Sequence, residues 1–386
     1  MKILYIYKSI ALLAGMERIL TDKMNYLADH LGYGVSLITY EQGENQLSYP
    51  LSSRIYHVDL GVLFYTKSRY PMLKRVGVYR NMRVVFKRKL YEAVERISPD
   101  IIILTNYSYP VLDIIIHAPG NHRYIIESHI SKEASLKSGD FSRFSVLRCF
   151  SHIYDFYMLR QIKKADILVT LTEEDKKKWE KLVSTCVIPN LLTKFPSTVS
   201  SLGNKKVMSA GRLDMQKGYD LLVQAWAAVA VRHQDWQLDI YGNGPLKSEL
   251  EALIVKYHLE SSFFLHEATS DIYKEYLDHS IYVMSSRFEG FGLVLVEAMS
   301  CGLPCVSFDC PSGPSEIIKN AENGLLVENG NIEKLSAAIS CLIENEDERR
   351  RMGSEARRSI SRYSKDEIMQ QWDTLFKNMV LKKKQG

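Results

Sequence analysis

Short apolar runs rich in β-branched residues alternate with longer stretches of helical spacing along most of the chain. In the first half the runs are KILYIY, YGVSLITY, RIYHVDL, DIIILTN, RYIIES and DILVTL. In the second half they are KKVMSAG, WQLDIYG, SSFFLHE, IYVMSS, PCVSFD and NGLLVE. Most read apolar throughout, which is the signature of strands covered on both faces, and the helical stretches between them supply the cover. Glu17 to Leu31, Met72 to Ile97, Asp220 to Val231 and Leu246 to Tyr257 are such stretches. The pattern predicts two α/β domains, each a doubly wound parallel sheet.

The predicted boundaries are residues 1–190 for the first domain and 205–364 for the second. Between them Leu191 to Asn204, LLTKFPSTVSSLGN, is rich in Ser and Thr and lacks periodicity, so it reads as a linker. An amphipathic stretch over residues 365–381 follows the second domain and is expected to pack back on the first. Ligands of such sheets gather where the strands end in loops and helix N-termini. A cleft between the carboxyl ends of two facing sheets is therefore the expected place for chemistry.

Composition changes this picture little. With 386 residues, 46% hydrophobic and 25% charged, the chain suits two or three globular domains. The net charge of +5 is modest but unevenly spread. Lys67, Arg69, Lys74, Arg75, Arg80, Arg83, Lys87, Arg88 and Lys89 fall in one run without an Asp or Glu, and Lys382 to Lys384 close the chain. Clustered cations suit an anionic partner, such as a phospholipid surface, a pyrophosphate-linked lipid or nucleic acid, or else form a solvated helix face. Six cysteines without a CxxC pair are expected to be buried and reduced, which fits a cytoplasmic protein. The N-terminal run is broken by Lys8 and followed by Glu17 and Arg18, so it reads as a first strand, not a signal peptide. No stretch approaches the ~18–20 apolar residues of a spanning helix.

Candidate chemistry concentrates in the second half. SAGRLDMQKG places Arg212 and Lys217 on the loop after a strand, where a fork and a point charge suit a diphosphate. YGNGP lacks the third glycine of a dinucleotide fingerprint, with Lys247 in its place, which argues against a nicotinamide enzyme. CPSGPSEIIKN reads as a loop before a short helix, capped by Ser315, that closes over a sugar or phosphate. RFEGFGLVLVEAMSCGLP puts Glu289 on a loop between strand and helix and Glu297 one and a half turns into that helix. Gly290 and Gly292 open backbone N–H groups at the helix start to an anion. Carboxylates accept paired hydroxyl hydrogen bonds, so Glu289 suits a sugar and Glu297 a ribose.

These motifs, in this order, resemble retaining glycosyltransferases of family 4. The N-terminal glycine loop before ERIL, ESH after a strand and VIPN before the linker extend the resemblance over about the whole chain. It implies a GT-B fold, two Rossmann-like domains facing a central cleft. It also implies transfer of a hexosyl group from a nucleotide sugar, a UDP-sugar before a GDP-sugar, to a glycan or lipid-linked acceptor in cell-surface polysaccharide synthesis. By resemblance, Gly15, Arg212, Lys217, Phe291, Gly292, Leu293 and Glu297 bind the donor, and Glu289 and His129 lie at the reacting centre. The family's paired glycines are Ala14-Gly15 here. No cofactor or metal is expected, because two cations and a helix end can carry the diphosphate charge. Nucleic acid is not expected as a partner. The Lys67–Lys89 run points to peripheral attachment at the inner face of the cell membrane. A sugar-nucleotide epimerase or hydrolase on the same fold and a non-catalytic nucleotide-sugar-binding protein are the rival readings.

Overall fold

A computed structural model describes residues 1–12, 14–132 and 146–385. The chain forms two compact units, Met1–Pro189 with Asp366–Gly386, and Asn190–Lys365. Unit 1 is built on a parallel sheet of β1 (Lys2–Tyr7), β2 (Gly34–Thr39), β3 (Tyr56–Asp59), β4 (Ile101–Thr105), β5 (Arg123–Ser128), β6 (Ile167–Thr170) and β7 (Thr185–Val187). Their order is β3-β2-β1-β4-β5-β6-β7. Unit 2 carries β8 (Lys206–Ala210), β9 (Gln237–Tyr241), β10 (Phe263–His266), β11 (Ile281–Met284), β12 (Cys305–Asp309) and β13 (Gly324–Glu328). Here the order is β10-β9-β8-β11-β12-β13, again all parallel.

Each sheet reverses its winding once, between β1 and β4 in unit 1 and between β8 and β11 in unit 2. At such a switch point the loops leaving two neighbouring strands diverge to opposite faces and open a crevice at the carboxyl ends. The predicted strands are all present. β7 was not predicted, because three half-buried residues give no periodic signal.

The strands are apolar because both faces are covered. In unit 1, Ile102, Leu104 and Ile126 pack against Phe86, Leu90 and Val94 of the Met72–Ile97 helix. In unit 2, Val207, Leu238 and Val306 meet Leu222 and Trp226 of the Tyr219–Arg232 helix, and Leu335 and Ile339 of the Ile332–Glu344 helix. The helix termini are fixed locally. Asn331 and Asn345 each accept a hydrogen bond from the backbone three residues on, satisfying N–H groups the helix cannot.

The stretch read as a linker, residues 191–204, is instead packed on unit 2. Leu191 and Leu192 are buried. Leu192 N–H donates to the Tyr363 carbonyl at 2.7 Å, and Ser200 N–H to the Cys301 carbonyl at 2.8 Å. Its polar composition conceals these long-range bonds. The closing Lys365–Gln385 helix belongs to unit 1, where Ile368, Met369, Trp372 and Phe376 are buried. Tyr26 of the Gly15–Asp29 helix donates to Asp366 at 2.7 Å, and Tyr33, in the turn before β2, donates to Asp373, fastening that helix to unit 1.

Cys301, Cys305 and Cys310 are free and buried, as expected, whereas Cys186 is only half-buried and Cys341 is exposed. The side chains of Cys149 and of Lys382 to Lys384 lie outside the described residues. No described helix is long and apolar enough to cross a membrane. Trp226 is fully buried and its indole N–H donates to Ser262 at 3.2 Å. Trp226→Ala should cost about 3–5 kcal/mol of unit 2 stability, read by urea unfolding followed by tryptophan fluorescence and circular dichroism.

Candidate functional site

The site in unit 2 is assembled at its switch point from the loops that leave β8 and β11, which are neighbours in the sheet. The first loop carries Arg212 to Gly218 and the second Ser285 to Gly292. They are pressed together. Gly218 has φ +62°, and a Cβ there would lie 2.2 Å from the Ser285 carbonyl oxygen. Only glycine fits both the left-handed backbone and the contact. Ser285 Oγ donates to the Lys217 carbonyl at 2.9 Å, and Arg287 N–H to the Gln216 carbonyl at 2.7 Å. Arg287 then forks onto both oxygens of Asp220, at 2.8 and 2.7 Å. That bidentate pair holds the Asp220 carboxyl below its ordinary range.

These bonds bring Lys217 to Glu289. Its Nζ stands 2.7 Å from Glu289 Oε1, which also accepts from Ser286 Oγ at 2.6 Å. Gln216 Nε2 donates to the Phe288 carbonyl at 3.1 Å and steadies the same loop. Both charged side chains are largely out of water, 17% and 8% exposed. Burial alone would lower the Lys217 pKa, but the Glu289 carboxylate outweighs it and the net shift is upward. Lys217 is thus a fixed cation with two ammonium protons not directed at Glu289.

Glu297 is buried in the Leu293–Ser300 helix, whose N-terminus is set by Gly292 at φ +91°. Tyr276 O–H donates to Glu297 Oε2 at 3.4 Å. Leu293 opens that helix, so its N–H is among those a helix leaves without an internal partner. Phe291 is buried, edge-on to Tyr363 at 5.3 Å between ring centroids. Its carbonyl oxygen would lie 2.2 Å from a Cβ on Gly313, which is therefore kept bare. Gly313, not Ser315, occupies the cap position of the short Pro314–Ile317 helix; Ser315 is exposed. YGNGP is a packing device. A Cβ on Gly242 would meet the Gly211 carbonyl at 1.9 Å, and one on Gly244 the Leu213 carbonyl at 2.3 Å.

Not every expected residue joins this cluster. Arg212 is mostly exposed, with Asp214 as its ion partner at 3.7 Å. Gly15 and His129 belong to unit 1. Gly15 begins the helix after β1, preceded by Ala14 in an ordinary extended conformation (φ −133°), so the alanine strains nothing. His129 follows β5 and its Nε2 is 2.9 Å from Glu127 Oε2. Arg287, Asp220 and Ser286 were missed as site residues. Arg287 stands directly before the recognised FEGFG motif, but only the fold reveals its partner 67 residues away. Among the described residues no group of three His, Cys, Asp or Glu side chains is placed to hold a metal.

The chain is similar to known glycosyltransferases. Residues 193–359 match the family Glycosyl transferases group 1. An uncharacterized glycosyltransferase of Haemophilus influenzae is 28% identical over 96% of this chain and 98% of its own. The amylovoran biosynthesis glycosyltransferase AmsD of Erwinia amylovora is 28% identical over 85% and 93%. Staphylococcus aureus TarM, solved with UDP and alpha-GlcNAc-glycerol, superposes with a TM-score of 0.76 at 18% identity, covering 97% of this chain and 99% of that one. The protein is a glycosyltransferase built as two Rossmann-like domains of the GT-B type.

Gly218→Ala should force the β8 and β11 loops apart. The expected result is a loss of about 1–2 kcal/mol of unit 2 stability, read by urea unfolding of the full chain.

Proposed function

We propose that the protein is a retaining transferase that moves a hexosyl group from a UDP-sugar to a hydroxyl of a glycan or lipid-linked acceptor in cell-surface polysaccharide synthesis. The observation that carries this reading is the Lys217–Glu289–Ser286 cluster, set beside the Gly292-led helix at the switch point of unit 2. In transfer the bond from the anomeric carbon to the diphosphate oxygen breaks, and a bond to the acceptor oxygen forms. Negative charge gathers on the leaving diphosphate and positive charge on the sugar ring. Lys217, Arg212 and the backbone N–H groups around Gly292 and Leu293 take the diphosphate, a preorganised arrangement that supplies its stabilisation without solvent reorganisation. Glu297 accepts from the ribose hydroxyls.

Glu289 is already engaged by Lys217 and Ser286, so its part is to hold the sugar and balance the ammonium. His266 supports a base-binding role for the end of β10. It stacks on Tyr241 at 4.7 Å between centroids and is held by Asp239 at 2.6 Å. Retention follows the family resemblance. We take the reaction to be metal-independent.

Glu297→Gln should weaken UDP binding by about tenfold, the scale of one charged hydrogen bond. Glu289→Ala should lower kcat by about a hundredfold. Both are read by calorimetry and by product analysis with and without acceptor, each in the presence of EDTA. Unchanged turnover of the Glu289 variant, or abolition of transfer by EDTA, overturns that part of the reading.

Unit 1 has the features of an acceptor and membrane face. A cavity of about 400 Å³ is lined by Lys67, Tyr79, Arg83, Asp113, Tyr154 and Tyr157, offering a glycan aromatic faces and the Arg83–Asp113 ion pair. Beside it lies the basic run. Met72, Val76 and Val84 are exposed on the same helix as Lys74, Arg80 and Arg88. Apolar side chains among cations suit the headgroup layer of an anionic bilayer. Vesicles containing phosphatidylglycerol should co-sediment the protein at low salt and release it at high salt. Val76→Asp with Val84→Asp should abolish binding.

A further inference from the structure

Unit 1 buries a second charged cluster, at the carboxyl end of β5. Lys23 lies on the Gly15–Asp29 helix, Glu127 near the end of β5 and His129 two residues later. Their side chains are 3%, 2% and 5% exposed. Lys23 Nζ stands 2.7 Å from both Glu127 oxygens, and His129 Nε2 2.9 Å from Oε2. Burial alone would raise the Glu127 pKa, but the Lys23 ammonium and then His129 hold it down at about 2. It is therefore a carboxylate at any working pH, able only to accept hydrogen bonds. The His129 Nε2 must then carry a proton, and in the neutral ring Nδ1 is the acceptor.

Taking three ionisable groups out of water is costly, and apolar side chains of the same volume would stabilise a core at least as well. Such a cluster at the ligand-binding end of a parallel sheet is therefore a site candidate on physical grounds. The cluster has a lid. The Trp372 ring lies over the Lys23 ammonium, with Nζ 3.6 Å from its centroid. Trp372 comes from the Lys365–Gln385 helix, the segment by which the chain returns from unit 2 to unit 1. The Asp366 bond to Tyr26 pins that helix to the one bearing Lys23, and the Asp373 bond to Tyr33 pins it to the turn that follows.

We propose that Glu127 and Lys23 are positioning residues for sugar transfer, fixing His129 as its Nε2–H tautomer, and that Trp372 of the returning helix holds Lys23 in place. This rests on the transferase reading and on His129 meeting the substrate. Lys23 orients the carboxylate through both of its oxygens, and the carboxylate orients the ring. An orienting acid of this kind acts through tautomer and ring direction without itself moving a proton.

The test uses the full-length protein with ¹⁵N-labelled histidine. In the wild type, the His129 resonances, assigned by their loss in His129→Gln, should show the Nε2–H pattern. Glu127→Gln should lose that uniform pattern and lower kcat by about tenfold or more, with the KM for UDP-sugar and the UDP Kd within about twofold. The single change leaves Lys23 buried without a counter-charge, so Lys23→Met with Glu127→Gln is the folding control. It should retain the wild-type circular dichroism and show the same kcat loss. Trp372→Phe should keep the rate and Trp372→Ala lower it. An Nδ1–H wild-type ring overturns the proposal, as does a folded Glu127→Gln or double variant with wild-type kcat. If the wild type transfers no sugar from any nucleotide donor, the functional reading fails, and the tautomer spectra of wild type and variants alone decide the positioning.

Discussion

A charge taken out of water must find its counter-charge inside the fold, and both units of this glycosyltransferase place such a pair at the carboxyl end of a parallel sheet. In unit 2 the pair is Lys217 with Glu289, and in unit 1 Lys23 with Glu127. Removing one member of a buried pair typically costs about 3–5 kcal/mol, because the other is left uncompensated. The elements that carry these residues are consequently held to one arrangement. The same arrangement presents fixed charge to a ligand, with no reorganisation needed when the ligand arrives.

The geometry needed to make the unit 2 pair is set by backbone contact more than by side chains. Gly218 against Ser285, Gly242 against Gly211, Gly244 against Leu213 and Gly313 against Phe291 are approaches that a methyl group would forbid. The glycines that punctuate the motifs are thus mostly packing residues. They draw the loops of β8, β9, β11 and β12 into one bundle, and Arg287 with Asp220 locks two of them. Gly292 differs from these glycines: its left-handed backbone starts the Leu293–Ser300 helix, where the proposed donor phosphate would meet free N–H groups.

Much of this was legible beforehand where the signal is local. Strand after strand was readable because residues covered on both faces are apolar without alternation, and the helices between them keep a 3.6-residue period. Lys217 and Glu289 could be placed on strand-end loops, and Glu297 on the helix that follows, because those positions depend on local pattern alone. The 191–204 segment misled because its Ser and Thr content resembles a linker, while Leu191, Leu192 and a few backbone bonds tie it to unit 2. Arg212 and Lys217 look alike in the sequence, yet the fold buries Lys217 against Glu289 and leaves the Arg212 side chain largely in solvent. A spacing rule cannot distinguish two cations on one loop when burial alone separates them.

By itself, the sequence determined the two α/β sheets, the order of their elements and the loops that carry the chemistry, since each depends on periodicity within some ten to twenty residues. The tertiary structure decided which charges meet. Lys217 and Glu289 are 72 residues apart and Lys23 and Glu127 are 104 apart, and nothing near either residue in the chain names its partner. Pairing of this kind is settled by the order of strands in the sheet and by how closely two backbones can approach. Both are long-range properties with no local periodicity to betray them.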